Sequence, residues 1–256
     1  MLIEYTDPQG SDAWLQSRRG VITGSRFAVA RERVGLLDER QSAYVAMVQA
    51  GETRQSAATA AGYKRIPSAA AVVEALAGGC TSAPSATAIS YAKDLARERC
   101  GVLTLPAHQT LAMRIGSEQE DAVRCAYEVE TGLMVTQCGF FATQDHQFGV
   151  SPDGLVGDDG LIEIKTMVSS ETLFRCVVDG ISADYIDQIN GELWLLNRQW
   201  CDLVLWAPDL AGIGRALTVR RIHRNEDAIN ELVRDLMEFA GIVNNYTAAL
   251  RGPDEE

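Results

Sequence analysis

The chain of 256 residues is acidic, with a net charge of −12 at pH 7, and 46% of its residues are hydrophobic. It is long enough for one large domain, or for a core domain with an insertion. Its acidity argues against a protein that coats nucleic acid by charge alone, because such proteins neutralise phosphates with Lys and Arg. The acidity does not exclude a nuclease, whose carboxylates hold metal ions.

No targeting or membrane segment is expected. No apolar run approaches the roughly 18 residues of a membrane-spanning helix, and residues 1–10 lack the basic and then apolar pattern of a secretory signal. The six cysteines are scattered without a CxxC pair, and the three histidines are isolated, which argues against a zinc site or a disulfide framework. Reduced thiols and a cytoplasmic location are therefore expected.

Two helices joined by a loop are predicted at the start of the chain. Residues 11–19 form the first helix, with Trp14 facing inward, and Ser25 caps the second, which runs to about Val34. Arg18 and Ser25 lie around one loop and its helix ends, where guanidinium and hydroxyl donors can bind an anion. The alternative is a capped helix with solvated arginines, and spacing alone favours that alternative.

The segment 37–79 differs in composition and predicts three short helices. The first two end at Gly51 and Gly62, and the third follows Pro67. The segment resembles the helix-turn-helix of phage terminase small subunits through Leu37, Gln41, Tyr44-Val45, Ala57-Ala58 and Ala60-Ala61-Gly62-Tyr63. The alternative is an alanine-rich insertion that simply packs, since the segment is not notably basic. Residues 80–87 are small and polar and predict a linker.

Two further helices are predicted at residues 90–101 and from about residue 107 to 131. The later part of the second has an apolar stripe, which predicts its buried face, at Ile115, Ala122, Val123, Cys125, Ala126 and Val129. Glu118 and Glu120 flank that stripe on opposite sides. Helical spacing therefore leaves open which glutamate faces a site.

A predicted hairpin at Gly149–Thr166 carries the clearest chemical signal. Strands are predicted at 134–143, 147–152 and 161–166. Side chains alternate along a strand, so Glu163 and Lys165 share a face, and the turn can bring Asp153 beside Glu163. Two carboxylates about 4 Å apart repel by roughly 4 kcal/mol at an effective dielectric of 20, so such a pair needs a cation, a shared proton or solvent. Lys165 on the same face favours a divalent metal with an ammonium group nearby. The alternative is a turn aspartate beside a solvated strand.

The rest of the chain predicts two helices, two strands and a closing helix, at 170–178, 183–197, 201–208, 215–223 and 225–250. On the helix 183–197, Tyr185, Gln188 and Glu192 share one face. Such a polar stripe usually faces solvent, so it indicates little by itself. The order of elements predicts an α/β fold with a mixed central sheet flanked by helices.

These pieces together resemble the lambda-type exonucleases, also called YqaJ-type viral recombinases, of the PD-(D/E)XK nuclease superfamily. Four motifs follow the family's order: Trp14-x-x-x-Arg18 with Gly20 to Ser25, Gly116-x-x-x-Glu120, Ser151-Pro-Asp153-Gly-Leu with Leu161-Ile-Glu163-Ile-Lys165, and Tyr185-x-x-Gln188. The resemblance covers about residues 9–36 and 88–250. It implies a restriction-endonuclease-like core at 1–36 and 80–256 with a helical insertion at 37–79.

The resemblance also implies the roles of individual residues. It assigns catalysis to Glu120, rather than Glu118, together with Asp153, Glu163 and Lys165. The implied metal ligands are Asp153, Glu163 and the Ile164 carbonyl, with Glu120 at a second ion or acting through water. The implied 5′-phosphate contacts are Arg18, Ser25 and Gln188, supported by Trp14 and Tyr185. Asn190 departs from the pattern of the family, whose founding member has glutamine there, so fine contacts at that position differ.

The function implied by the resemblance is 5′-to-3′ digestion of one strand of linear double-stranded DNA, exposing a 3′ single strand for phage-type recombination. Mg²⁺ is the implied cofactor, as two ions that Mn²⁺ can replace. The implied partners are a single-strand annealing protein and further copies in a ring, with a trimer as one form, in the host-cell cytoplasm if the gene is a phage's. The alternatives are a structure-specific or endonucleolytic relative and a non-enzymatic DNA-binding adaptor.

Overall fold

The computed structural model describes residues 2–35, 37–79, 82–102, 111–180 and 183–252. The chain divides into two compact units, Glu32–Ser90 and the combination of Met1–Arg31 with Tyr91–Glu256. The segment predicted to be an insertion, 37–79, lies inside the smaller unit. Its status as an insertion into a nuclease core stays a prediction.

The larger unit contains two mixed sheets. Their strands are β1 Leu2–Tyr5, β2 Ile22–Thr23, β5 Val135–Thr136, β6 Phe140–Thr143, β7 Phe148–Val150, β8 Gly154–Val156, β9 Gly160–Thr166, β10 Trp200–Trp206 and β11 Leu217–His223. One sheet has the strand order β11-β10-β9-β8-β5 and the other β1-β6-β7-β2. Within them, β9 and β10 run parallel, as do β2 and β7. The predicted mixed α/β class is confirmed, with the strands divided between two sheets.

Helices flank these sheets. They are α1 Asp12–Ser17, α2 Phe27–Ala30, α7 Leu111–Thr131, α8 Ser170–Leu173, α9 Ala183–Leu195 and α10 Glu226–Arg251. Short 3₁₀ turns occur at Gly24–Arg26 and Pro208–Ile213, and a π-helical turn at Phe174–Val178 follows α8. Among the residues that the structure describes, no helix is long and apolar enough to cross a membrane.

Strand β9 is covered on both faces, and its residues from Gly160 to Glu163 are buried. Leu161 packs in one cluster with Ile189 and Leu193 of α9. The next residue, Ile162, points to the opposite face and packs with Val123 and Tyr127 of α7. Because this alternation continues along the strand, the positions of Glu163 and Lys165 follow Leu161 toward α9.

The smaller unit has its own helices and apolar cluster. Its elements are β3 Arg33–Val34, α3 Glu39–Gln49, α4 Arg54–Ala60, α5 Ala70–Leu76 and β4 Ala83–Pro84, and it includes the first residues of α6 Ala86–Arg99. The cluster is built around fully buried Tyr44, Ala57 and Val72. Helices α3 and α4 each end two residues before the glycine predicted to end them, at Gln49 and Ala60. Gly51 and Gly62 then follow with positive φ, which glycine adopts without strain.

Two predictions near the boundaries of the smaller unit are wrong. Ser25 does not cap a helix reaching Val34, because it lies inside a 3₁₀ turn whose N-cap is Thr23 and the following helix ends at Ala30. The predicted linker 80–87 is also structured where it is described. It pairs as β4 with β3, and Ser85 then accepts a hydrogen bond from the Ala88 N–H at the start of α6.

The predicted strand 134–143 is two strands in different sheets. The extended segment is interrupted before Phe140, next to Gly139. A Cβ on Gly139 would lie 1.8 Å from the Tyr5 carbonyl oxygen. That close backbone approach is possible only for glycine. Strand β5 then pairs with β8, whereas β6 pairs with β1 and β7. Strand β1, Leu2–Tyr5, was not predicted.

Candidate active site

The hairpin positions Asp153 by backbone contacts on both of its sides. The Asp153 N–H donates to the Ile162 carbonyl at 3.2 Å, and the Ile164 N–H donates to Asp153 Oδ2 at 2.6 Å. Burial raises the pKa of Asp153 well above its usual value, and the charges of Glu163 and Glu120 raise it further. The side chains of Asp153, Glu163 and Glu120 line one cleft.

Lys165 is held beside Glu163 at the end of β9. Its Nζ lies 2.6 Å from Glu163 Oε1 and donates to Gln188 Oε1 at 3.0 Å. Burial lowers the pKa of Lys165, but the charge and hydrogen bond of Glu163, together with the charges of Asp153 and Glu192, outweigh burial and the pKa is raised. The ring of Tyr185 lies 5.2 Å from the ammonium group, within range of a cation–π contact.

Helix α9 contributes one residue that the sequence prediction did not assign to the site, Glu192. Its side chain is 1% exposed, and its Oε1 accepts from Gln188 Nε2 at 3.0 Å. Its Oε2 is buried without a hydrogen-bond partner. Burial raises the pKa of Glu192 well above its usual value, and the charge of Glu163 raises it further. Its place on the same helical face as Gln188 was the available signal.

Helix α7 presents Glu120 and turns Glu118 away. The Glu120 side chain is 21% exposed and lies 2.5 Å from Arg124, whereas that of Glu118 is 68% exposed and pairs with Arg114 at 3.9 Å. Arg124 also donates to the Asp153 carbonyl oxygen at 3.3 Å and contacts Asp121. Arg124 therefore links the α7 carboxylate to the hairpin.

Arg18 lies against two aromatic rings in the part of the cleft formed by the N-terminal segment of the chain. Its guanidinium carbon lies 4.2 Å from the Trp14 ring centre and 5.1 Å from that of Phe140. Burial lowers the pKa of Arg18 to about 10, so the group stays a cation at neutral pH. The indole N–H of Trp14 is buried without a hydrogen-bond partner. Exposed Ser25 lies in the same cleft.

A single cleft of about 510 Å³ brings together all the residues that the sequence assigned to catalysis, metal and phosphate. Its lining includes Trp14, Arg18, Ser25, Glu120, Asp153, Glu163, Ile164, Lys165, Tyr185, Gln188 and Glu192. Gln188 is not directed only toward an incoming phosphate, because its amide already bridges Lys165 and the two glutamates. The individual roles of these residues stay predictions.

The donor set suits a hard cation. In the described part of the chain, no three Asp, Glu, His or Cys side chains form a ready-made metal-binding group. The candidate ligands are nevertheless all oxygens, and Glu163 Oε2 is buried without a partner. Mg²⁺ keeps several waters and needs only one or two carboxylates from a protein. Asp153, Glu163 and the Ile164 carbonyl can meet that requirement, and a cation would offset the repulsion that raises the pKa of Asp153.

The fold is similar to that of a solved exonuclease. An alkaline exonuclease from Laribacter hongkongensis, LHK-Exo, superposes with a TM-score of 0.66 at 24% identity, over 94% of this chain and 96% of that one. The structure of LHK-Exo in complex with dAMP superposes with a TM-score of 0.67 at the same identity and coverage. No curated protein matches the sequence significantly.

The chain belongs to the family of the YqaJ-like viral recombinase domain, whose model matches residues 13–199. The family predicted from the four motifs is thereby confirmed. Membership implies a nuclease that acts on DNA.

Proposed function

We propose that this protein is a divalent-metal-dependent 5′-to-3′ exonuclease that digests one strand of linear double-stranded DNA and leaves a 3′ single strand for recombination. One observation carries the proposal. The carboxylates Asp153, Glu163 and Glu120 share a cleft with Lys165 and with the aromatic-flanked Arg18. This arrangement supports a site in which a reaction centre and a contact for a terminal phosphate lie together.

The metal would be held by Asp153, Glu163 and the Ile164 carbonyl, with Mg²⁺ as the ion and Mn²⁺ as a substitute. A bound divalent ion supplies charge neutralisation at the phosphate and lowers the pKa of a coordinated water. Glu120 serves a second ion directly only if it leaves Arg124, because the two side chains are 2.5 Å apart. Otherwise Glu120 acts through water.

Lys165 acts as a positively charged donor rather than as a base while it keeps its pair with Glu163. An ammonium group whose pKa is raised by a neighbouring carboxylate holds its proton at neutral pH. It can therefore orient the attacking water and stabilise negative charge that develops on the phosphate oxygens. This favours an electrostatic role for Lys165 over removal of a proton from the attacking water.

The direction of digestion is assigned to Arg18 and Ser25. A guanidinium donates two parallel hydrogen bonds to phosphate oxygens, and a hydroxyl adds a third. A 5′ phosphate held there would place the adjacent phosphodiester at the carboxylates, so that cutting starts from the 5′ end. The structurally similar LHK-Exo has been crystallised with dAMP, and a nucleotide ligand of that protein agrees with this proposal.

A ring of identical subunits, with a trimer as the expected form, would keep this acidic protein on its substrate. At a net charge of −12, long-range attraction to DNA is weak. Enclosure of the duplex would replace that attraction. The exposed 3′ strand would pass to a single-strand annealing protein. Light scattering of the purified chain tests the ring, because a monomer at micromolar concentration would contradict it.

The activity is tested with linear and covalently closed circular duplexes of one sequence in Mg²⁺, with EDTA as the metal-free control. An exonuclease digests the linear form alone and is inactive in EDTA. Cleavage of the circle would indicate the endonucleolytic alternative. Binding of linear DNA without digestion in either Mg²⁺ or Mn²⁺ would indicate the adaptor.

A further inference from the structure

The buried carboxylate Glu192 completes a chain of hydrogen bonds that ends at Lys165. Gln188 Nε2 donates to Glu163 Oε1 at 2.6 Å and to Glu192 Oε1 at 3.0 Å. The other end of the same amide, Gln188 Oε1, accepts from Lys165 Nζ at 3.0 Å. The Gln188 amide thus makes three hydrogen bonds, and both of its N–H groups have carboxylate acceptors.

This arrangement specifies which way the Gln188 amide points. The opposite orientation would place its NH₂ group against the Lys165 ammonium and its oxygen against two carboxylates. Gln188 and Glu192 are four residues apart on α9, so they are neighbours on one helical face. The rigid helix therefore supplies an acceptor at a constant position relative to the amide.

Glu192 and Glu163 both accept a hydrogen bond from Gln188, but Glu163 has further contacts and a proposed role as a metal ligand. Glu163 Oε1 already accepts from both Lys165 and Gln188 at 2.6 Å, and Glu163 is also a proposed metal ligand. Glu192 lies beyond Gln188 and is 1% exposed. When Glu163 is drawn to a cation, Glu192 is the acceptor that still holds the amide of Gln188 in place.

We propose that Glu192 is a positioning residue that acts through Gln188 to orient the Lys165 ammonium group. The proposal rests on the proposed nuclease function of this cleft. Stability does not explain Glu192, because a buried carboxylate with an unpartnered oxygen is costly, and an apolar residue of similar volume is often as stable or more stable. A residue that costs stability within a site indicates a functional requirement.

The test compares Glu192→Met with Glu192→Gln. Methionine keeps the unbranched length without an acceptor, whereas glutamine keeps a carbonyl oxygen. We expect Glu192→Met to lower kcat on 5′-phosphorylated linear duplex by about 10- to 100-fold, the usual effect of losing a supporting contact. KM should be nearly unchanged. The melting temperature should be unchanged or raised. Glu192→Gln should recover most of the lost turnover.

A double variant shows whether Glu192 acts through Gln188. Adding Glu192→Met to Gln188→Ala should lower kcat no further than Gln188→Ala alone, because residues that act as one unit are not additive. The proposal is overturned if the two losses multiply, if Glu192→Met keeps more than half of the wild-type kcat, or if Glu192→Gln is folded and as slow as Glu192→Met.

A readout without DNA separates this proposal from the proposed function. The side-chain NH₂ signal of Gln188, assigned by its absence in Gln188→Ala, should be protected from hydrogen exchange in the wild type and in Glu192→Gln. In Glu192→Met, the amide proton that faces Glu192 should lose its protection, whereas the proton that Glu163 accepts should keep it. Unchanged protection in Glu192→Met contradicts the contact itself. A wild type that shows the protection but digests no DNA instead contradicts the nuclease function.

Discussion

Arg18 offers a quantitative test of the proposed preference for 5′-phosphorylated DNA ends. Its guanidinium lies over the Trp14 ring at 4.2 Å and close to Phe140, and it remains charged at neutral pH. Arg18→Met keeps an apolar stem for ring contact but removes the charge and all donors. A hydrogen bond to a charged group contributes about 1.5–3 kcal/mol. At about 1.4 kcal/mol per factor of ten, the loss corresponds to roughly 10- to 150-fold in kcat/KM.

The assay measures kcat/KM on two duplexes that differ only in a 5′ phosphate or a 5′ hydroxyl. We expect Arg18→Met to lower kcat/KM on 5′-phosphorylated ends by roughly 10- to 150-fold. The value of kcat/KM on 5′-hydroxyl ends should change little. Arg19→Met is the matched control, because Arg19 donates to the Gly101 carbonyl at 3.4 Å and is not among the described residues that line the cleft. An Arg18→Met variant with the wild-type preference would refute the assignment.

Three further predictions concern activity, packing and metal affinity. Lys165→Met should lower kcat by about 10²- to 10³-fold, the usual effect of removing one stabilising donor, with an unchanged circular dichroism spectrum, and near-normal turnover would contradict its role. Gly160→Ala should lower the free energy of unfolding by about 1–3 kcal/mol in urea titrations, because its Cβ would lie 2.1 Å from the Trp200 ring, whereas Gly212→Ala, with nothing within 4 Å, should be neutral. Arg124→Met should free the α7 carboxylate and tighten Mg²⁺ binding in calorimetry, and weaker binding would contradict the competition between cation and arginine.

The hairpin was predictable because its chemistry and its geometry follow from neighbouring positions. Alternation along one strand places Glu163 and Lys165 on a common face, and the structure has their charged atoms 2.6 Å apart. The order of helices and strands likewise predicted the mixed α/β class. These inferences need only local periodicity and the requirement that both faces of β9 be covered.

The remaining features depend on contacts between distant segments. The apolar stripe on α7 was predicted to include Val129, yet Val129 is 87% exposed. Tyr127 is buried instead, because it packs with Ile162 of β9 and Val204 of β10, and its hydroxyl donates to Asp202 on β10 at 2.7 Å. The sequence pattern does not identify Glu192 as a site residue, because a polar stripe on a helix usually faces solvent. The pattern of α9 does not show that β9 places Glu163 against this stripe. The polar face of α9 lines the candidate site only because strand β9 packs against that helix.

The most direct test of the account is strand-specific digestion of a linear duplex in Mg²⁺, followed over time with the label at either the 5′ or the 3′ end. The account predicts early release of the 5′ label in small products, gradual shortening of the 3′-labelled strand, and faster reaction on 5′-phosphorylated ends. Early release of the 3′ label, or equal digestion from both ends of a strand, would contradict it.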